Sequence, residues 1–113
     1  MNIGISTFPT EYSIDIAVLA RRAEELGFDS LWVPEHPVLP VNAKTPWPLS
    51  PEGVTPKEYA DIADPFVALG RASAVTVNLL LGTAIVLVPE RNPLLLAKEV
   101  ATLDMYSGGR FQM

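Results

Sequence analysis

Apolar and polar positions recur with two different periods along the chain. The opening "NIGIS" is a short β-like run. Ser13 is a candidate helix N-cap, and Ile16, Leu19, Ala20, Ala23 and Leu26 then share one helical face, with Arg21, Arg22, Glu24 and Glu25 elsewhere. Gly27 stands where a left-handed residue would end that helix. "DSLWV" follows as a second strand. A strand, a helix and a strand joined this closely predict a βαβ unit, and so a parallel pair.

The pattern then repeats. Asp64-Pro65 is an N-cap with proline at the first helical position, opening "FVALGRASAV". "NLLLGTAIVLV" predicts a third strand, apolar without alternation, as for a strand covered on both faces. Asn92-Pro93 repeats the cap for a third helix, with Leu96, Val100 and Leu103 on one face. Gly108-Gly109 stops it, and "RFQM" begins a fourth β-like run. Four parallel strands and three helices suit a small open sheet. They equally suit the N-terminal half of a (β/α)8 TIM barrel, a fold that typically takes about 250 residues. The half barrel is the favoured expectation, as one partial domain over residues 1–113, because the sequence stops inside an element.

Two stretches depart from this regularity. From Pro34 to about Ile62 neither period is visible, and seven of the chain's 11 prolines fall there. A long loop inside a compact domain is usually a lid, a binding loop or a disordered excursion. This one follows a strand, so it lies at the carboxyl edge of the sheet, where parallel α/β folds bind ligands. Trp47 and Leu49 offer apolar contacts within it. In "GTAIVLVPERNP" apolar residues run past a normal strand length before Pro89. Gly82 admits close backbone approach and would allow an irregular exit or bulge, but the pattern alone favours an ordinary buried strand.

Composition narrows the function. A net charge of −5 with 8 scattered basic residues argues against a nucleic-acid surface. Cysteine is absent, which removes disulfides, thiolate metal sites and a cysteine nucleophile. "MNIGIS" lacks the features of a signal peptide, and the longest apolar stretch falls short of the roughly 18 residues of a membrane span. A soluble cytoplasmic protein with no membrane partner is expected. One histidine excludes a histidine-rich metal centre, although carboxylates can hold a hard cation; no metal ligands are assigned. No G-x-S-x-G elbow, Walker A loop or G-x-G-x-x-G is present.

The stretch that carries candidate chemistry is "SLWVPEHP", Ser30 to Pro37. An apolar run ends in Pro34, then come Glu35 and the lone His36. Imidazole titrates near neutrality and suits general acid or base work. Adjacent residues of an extended chain point to opposite sides. Trp32, Pro34 and His36 are therefore expected in one direction, and Leu31, Val33 and Glu35 in the other. Glu35 and His36 serve as candidate catalytic residues, for example as an acid and base in a cofactor-free barrel lyase or isomerase. An inactive half-barrel fragment is the non-enzymatic alternative.

"IGIS", "ELGFDSLWVPEHP" and "LLLGTAIVLVPERNPLLLAKEVATLDMYSGGRF" together resemble the bacterial luciferase-like monooxygenase superfamily, especially its F420-dependent oxidoreductase branch. The resemblance covers nearly the whole chain outside the proline-rich loop. Ala101 to Asp104 and Ser107 to Arg110 match its "ATLD…SGGR" element. It implies a (β/α) barrel that binds coenzyme F420, or alternatively FMN, at the carboxyl face. It further implies hydride transfer between that cofactor and a small organic substrate, with or without oxygen insertion, and a homodimer at full length. His36 matches the histidine beside the cofactor ring, and Glu35 the acidic residue before it. Ala84-Ile85 matches a non-prolyl cis peptide that buttresses the ring, and Thr7, with Phe8, loosely matches the pocket wall. Luciferases proper often carry two consecutive histidines, whereas Pro37 follows His36 here. The family's phosphate contacts come largely from later strands, so these 113 residues alone are expected to bind cofactor weakly or not at all.

Overall fold

A computed structural model describes residues 1–113. Strand β1 (Gly4–Ser6) leads to helix α1 (Ile16–Glu25) and back to β2 (Ser30–Val33). The start of α1 corrects the expected cap. Asp15, not Ser13, fills it, accepting the amides of Ala17 (2.9 Å) and Val18 (3.3 Å) on one carboxylate oxygen. Ser13 is spent locally: its hydroxyl accepts the Thr10 amide and donates to the Thr10 carbonyl, both at 3.0 Å. The helix ends as expected, with Gly27 at φ 82° and the Phe28 amide reaching back to the Ala23 carbonyl.

The second cycle contains four-residue α2 (Glu58–Asp61), then α3 (Pro65–Ser73) and β3 (Leu80–Thr83). Asp64 and Asn92 cap α3 and α4 (Pro93–Ser107), each with proline at the helix start, and Gly108 at φ 69° ends α4 before β4 (Phe111–Gln112). Four helices thus stand where three were expected. One turn is too short to show a period, and α2 is held by contacts rather than by pattern. Lys57 pairs with Asp61 at 3.0 Å, and the Tyr12 hydroxyl donates to Asp61 at 3.1 Å. The third strand is also shorter than its apolar run. After Thr83 the backbone leaves the sheet and makes a 3-10 turn at Val88–Glu90.

The sheet order is β1-β2-β3-β4, every pair parallel. Sequential order with crossovers of one hand puts all the connecting helices on one face. Accordingly α1 packs on α3 and α3 on α4. Register aligns Ile5, Leu31, Leu81 and Phe111 in one row, and these residues join the helices in a single core. The alternate row, Ser6, Trp32, Gly82 and Gln112, faces away from the helices. A doubly wound sheet would be covered on both faces. This one is covered on one, as in the N-terminal half of a (β/α)8 barrel.

The amino edge of the sheet is tied by charge. Glu24 on α1 accepts the amides of Val77 (2.9 Å), Asn78 (2.6 Å) and Leu79 (2.8 Å), fixing the entry to β3. Arg110 caps the same region from below β4, donating to the carbonyls of Ser73, Thr76, Leu79 and Ser107. Burial by itself would raise the Glu24 carboxyl, but the three amides and the nearby Arg110 charge outweigh it and hold it below its ordinary 4.5. A carboxyl lowered in the folded state contributes stability that is present above its unfolded value and lost as pH falls through the folded one. Glu24→Gln should therefore cost about 1 kcal/mol at pH 7, given solvent access to the site. That gap should shrink as urea titrations are moved from pH 7 to pH 3.

Candidate functional site

Three strand exits are laced together at the carboxyl edge. The Thr7 amide donates to the Trp32 carbonyl at 3.0 Å, and the Ala84 amide to the Val33 carbonyl at 2.9 Å. Thr7, His36 and the Ala84-Ile85 segment therefore lie along one rim. The Ala84-Ile85 peptide, where the resemblance implied a cis bond, is cis. Ala84 and Ile85 are exposed there, Ile85 at 68%.

Burial alternates past the end of β2. Leu31, Val33 and Glu35 are buried, while Trp32, Pro34 and His36 are half-buried. The two candidate catalytic groups thus leave the chain in different surroundings. Trp32 lies across the helix-free face, with its indole nitrogen donating to the Ser30 hydroxyl at 2.8 Å. Its ring covers Gly82, and a Cβ at Gly4 would meet the indole nitrogen at 2.9 Å. Glycine on the two flanking strands is what lets a tryptophan lie flat there.

Glu35 is 4% exposed and saturated. One oxygen accepts the Leu87 amide at 2.6 Å, and the other accepts Arg91 Nε at 2.6 Å together with an Arg91 terminal nitrogen. Arg91 also donates to Asp64 at 2.6 Å and Glu99 at 3.0 Å, and its guanidinium lies 4.9 Å from the Phe66 ring centre. Burial works against this cation, but the bonds to Glu35 and Asp64 and their charges raise it further above its ordinary value. Asp64 divides its oxygens, one capping α3 through the amides of Phe66 and Val67, the other facing Arg91.

His36 meets the long loop. Its ring stands edge-on to Tyr59, centroids 5.0 Å apart, and Tyr59 also touches Phe8 at 5.0 Å and Trp47 at 4.6 Å. The loop is closed on itself by the Trp47 amide to the Gly53 carbonyl, and returns to the β1 exit through the Ala63 amide to the Pro9 carbonyl, both at 2.8 Å. Leu49, expected to offer an apolar contact, is 82% exposed. A cavity of about 320 Å³ opens beside His36, bounded by Glu35, Ile62, Asp64 and Arg91. Clefts of about 440 and 620 Å³ lie around Tyr106 and Arg71, and His36 lines neither. Chemistry, rather than size, selects the rim. Arg91 and Tyr59 escaped sequence reasoning: Arg91 meets Glu35 across 56 positions, and Tyr59 sits in the one stretch without a period.

One-sided helices, a parallel sheet and a polar carboxyl rim define a partial (β/α) barrel of the enzyme-bearing kind. A family model for luciferase-like monooxygenases matches residues 4–113, and the chain belongs to that family. An uncharacterized protein of Mycobacterium tuberculosis is 41% identical over 111 residues, which is 97% of this chain and 39% of that protein. The chain therefore spans about two-fifths of the length of that relative. Among solved structures, monooxygenase RslO1 from Streptomyces bottropensis is similar at a TM-score of 0.75 and 32% identity, over 100% of this chain and 32% of that one. The coenzyme F420-dependent tetrahydromethanopterin reductase of Methanopyrus kandleri is similar at 0.69 and 27% identity, over 97% and 25%. No helix is long and apolar enough to cross a membrane.

Two substitutions test this geometry. Arg91→Ala leaves the buried Glu35 carboxylate without its cation and should destabilise the protein by about 3–5 kcal/mol in urea unfolding. Gly82→Ala drives a methyl group into the Trp32 ring and should cost about 1–3 kcal/mol, with a change in indole fluorescence reporting the displaced ring.

Proposed function

We propose that this chain forms the cofactor-binding rim of an oxidoreductase that transfers a hydride between a deazaflavin, coenzyme F420, and a small organic substrate. FMN is the alternative cofactor, and oxygen insertion is the variant of the reaction that goes with it. The observation that carries this reading is the half-buried His36 at the carboxyl rim, with the exposed Ala84-Ile85 segment leaving the adjacent strand. The similarity to an F420-dependent reductase and to a monooxygenase supports the same class.

The residues present fit a planar ring. Ala84 and Ile85 offer an apolar edge, His36 a polar one, and Thr7 closes the β1 side. A charged phosphate tail finds less here, because Arg91 is committed to three carboxylates. Bound at this rim, the cofactor would supply hydride chemistry. His36 orients the ring or handles a proton at its edge, work for which imidazole is suited. Phe8, Trp47 and Tyr59 form the wall on the substrate side and exclude water. Glu35, buried against Arg91, holds its neighbour in place rather than meeting substrate. A soluble cytoplasmic protein, homodimeric at full length, completes the proposal.

Fluorescence titration of the full-length gene product with F420 and with FMN separates the cofactors. In the same preparation His36→Ala should lower turnover by about 10²-fold or more while cofactor still binds. Unchanged turnover removes His36 from the mechanism, and an active protein that binds neither cofactor removes the redox reading.

A further inference from the structure

The exits of β2 and β3 carry the two groups that the proposed function puts at the ring, and beyond the last backbone bond between those strands one carboxylate ties the two exits together. Glu35 precedes His36 directly. Its side chain turns away from His36 and binds the Leu87 amide at 2.6 Å, two residues beyond Ile85. The same carboxylate is gripped by Arg91, which stands four residues beyond Leu87 and also reaches Asp64 and Glu99. The segment from Leu87 to Arg91 is therefore closed into a loop whose two ends of contact are both on Glu35, just past the Ala84-Ile85 peptide. Nothing in regular secondary structure does this work. β2 ends at Val33 and β3 at Thr83, and the Ala84 amide to the Val33 carbonyl is the last backbone bond between them, so Ile85 to Leu87 lie outside the ladder.

We infer that Arg91, acting through Glu35, is the positioning residue that sets the geometry of His36 relative to the Ala84–Val88 segment. The inference rests on the cofactor site proposed above and extends it to residues that do not touch the cofactor. The charge is essential to the device. A carboxylate offers lone pairs in two directions, enough for the Leu87 amide on one oxygen and two guanidinium nitrogens on the other. A guanidinium presents its donors in a rigid fork, so it can face Glu35, Asp64 and Glu99 at once, which an ammonium cannot do in one plane.

The test has a readout that needs no cofactor. His36 is the single histidine of these 113 residues, and in the full-length product its imidazole resonances are identified as those lost in His36→Ala. Three variants of the full-length gene product are compared with wild type. Glu35→Gln keeps size and one acceptor but drops the charge. Arg91→Lys keeps the charge but loses the fork. Leu103→Ala destabilises the core from the far half of α4 and serves as the control. In cofactor-free protein, Glu35→Gln and Arg91→Lys should shift the His36 imidazole resonances and raise amide exchange at Leu87 at least tenfold beyond the change in global stability. Leu103→Ala should leave both within twofold once its stability loss is accounted for. Cofactor affinity should follow, falling at least tenfold in the first two variants and less than twofold in the third. Unmoved imidazole resonances and Leu87 exchange in Arg91→Lys overturn the inference, as does a Leu103→Ala control that moves them equally. If Glu35→Gln does not fold, Arg91→Lys decides alone. If wild type binds neither F420 nor FMN, the functional reading fails, while the imidazole and exchange data still decide whether Arg91 couples the two exits.

Discussion

One guanidinium in a half-buried position organises the working edge of this protein. Arg91 faces three carboxylates, so the cluster carries more negative than positive charge and is not a simple stabilising pair. Removing such charges from water costs several kcal/mol per ion, and mutual attraction returns that only when the geometry satisfies every lone pair. Here the lone pairs are shared out. Glu35 adds a backbone amide, Asp64 caps a helix with its second oxygen, and Glu99 keeps partial access to solvent. A cluster of this kind contributes less to net stability than to uniqueness. It joins the exit of β2, the start of α3 and the first turns of α4 in a single arrangement at the edge of the core they share.

The two edges of the sheet are held by different chemistry, and the difference suits their tasks. At the amino edge Glu24 and Arg110 bind mostly backbone groups, which depend little on which side chains surround them. At the carboxyl edge side chain binds side chain: Arg91 to carboxylates, and Tyr59 to Phe8, His36 and Trp47. Backbone ties make a stable floor. Side-chain ties make a surface whose shape each residue can change, which suits the role proposed for this rim.

Much of this architecture is readable from the chain, because it follows from local rules. The cap-and-proline pairs at Asp64 and Asn92 and the left-handed glycines at 27 and 108 act within a turn, and the structure keeps all four. The alternation from Leu31 to His36 follows from strand geometry alone and persists beyond the strand. What failed turned on contacts distant in sequence. Ser13 and Asp15 are both good caps two residues apart, and Asp15 prevails because its second oxygen also meets Arg71 at 2.7 Å. The run after Gly82 reads as strand by hydrophobicity, but "AIVLV" leaves the ladder, and that depends on contacts with Glu35 far away in sequence. The site divides in the same way. His36 was visible as a lone imidazole at a strand exit, whereas its neighbours Tyr59 and Arg91 come from segments 23 and 55 positions later, which no periodicity connects.

The long loop can now be given a physical role distinct from that of the rim. It is fixed at its return by Ala63 to Pro9 and by Tyr12 to Asp61, and at its middle by the aromatic contacts of Trp47 and Tyr59. Between these anchors Val38, Val41, Leu49 and Val54 are left largely exposed. None of these anchors involves Arg91, so the exposed stretch is held by contacts separate from those of the charged cluster, although Glu35 itself stands at the loop's start. Change in the exposed stretch can therefore alter what is admitted beside His36 without disturbing the groups that hold it. A loop held apart from the strand exits can vary in sequence while the scaffold beneath it stays constant, as loops at the carboxyl face of (β/α) barrels do.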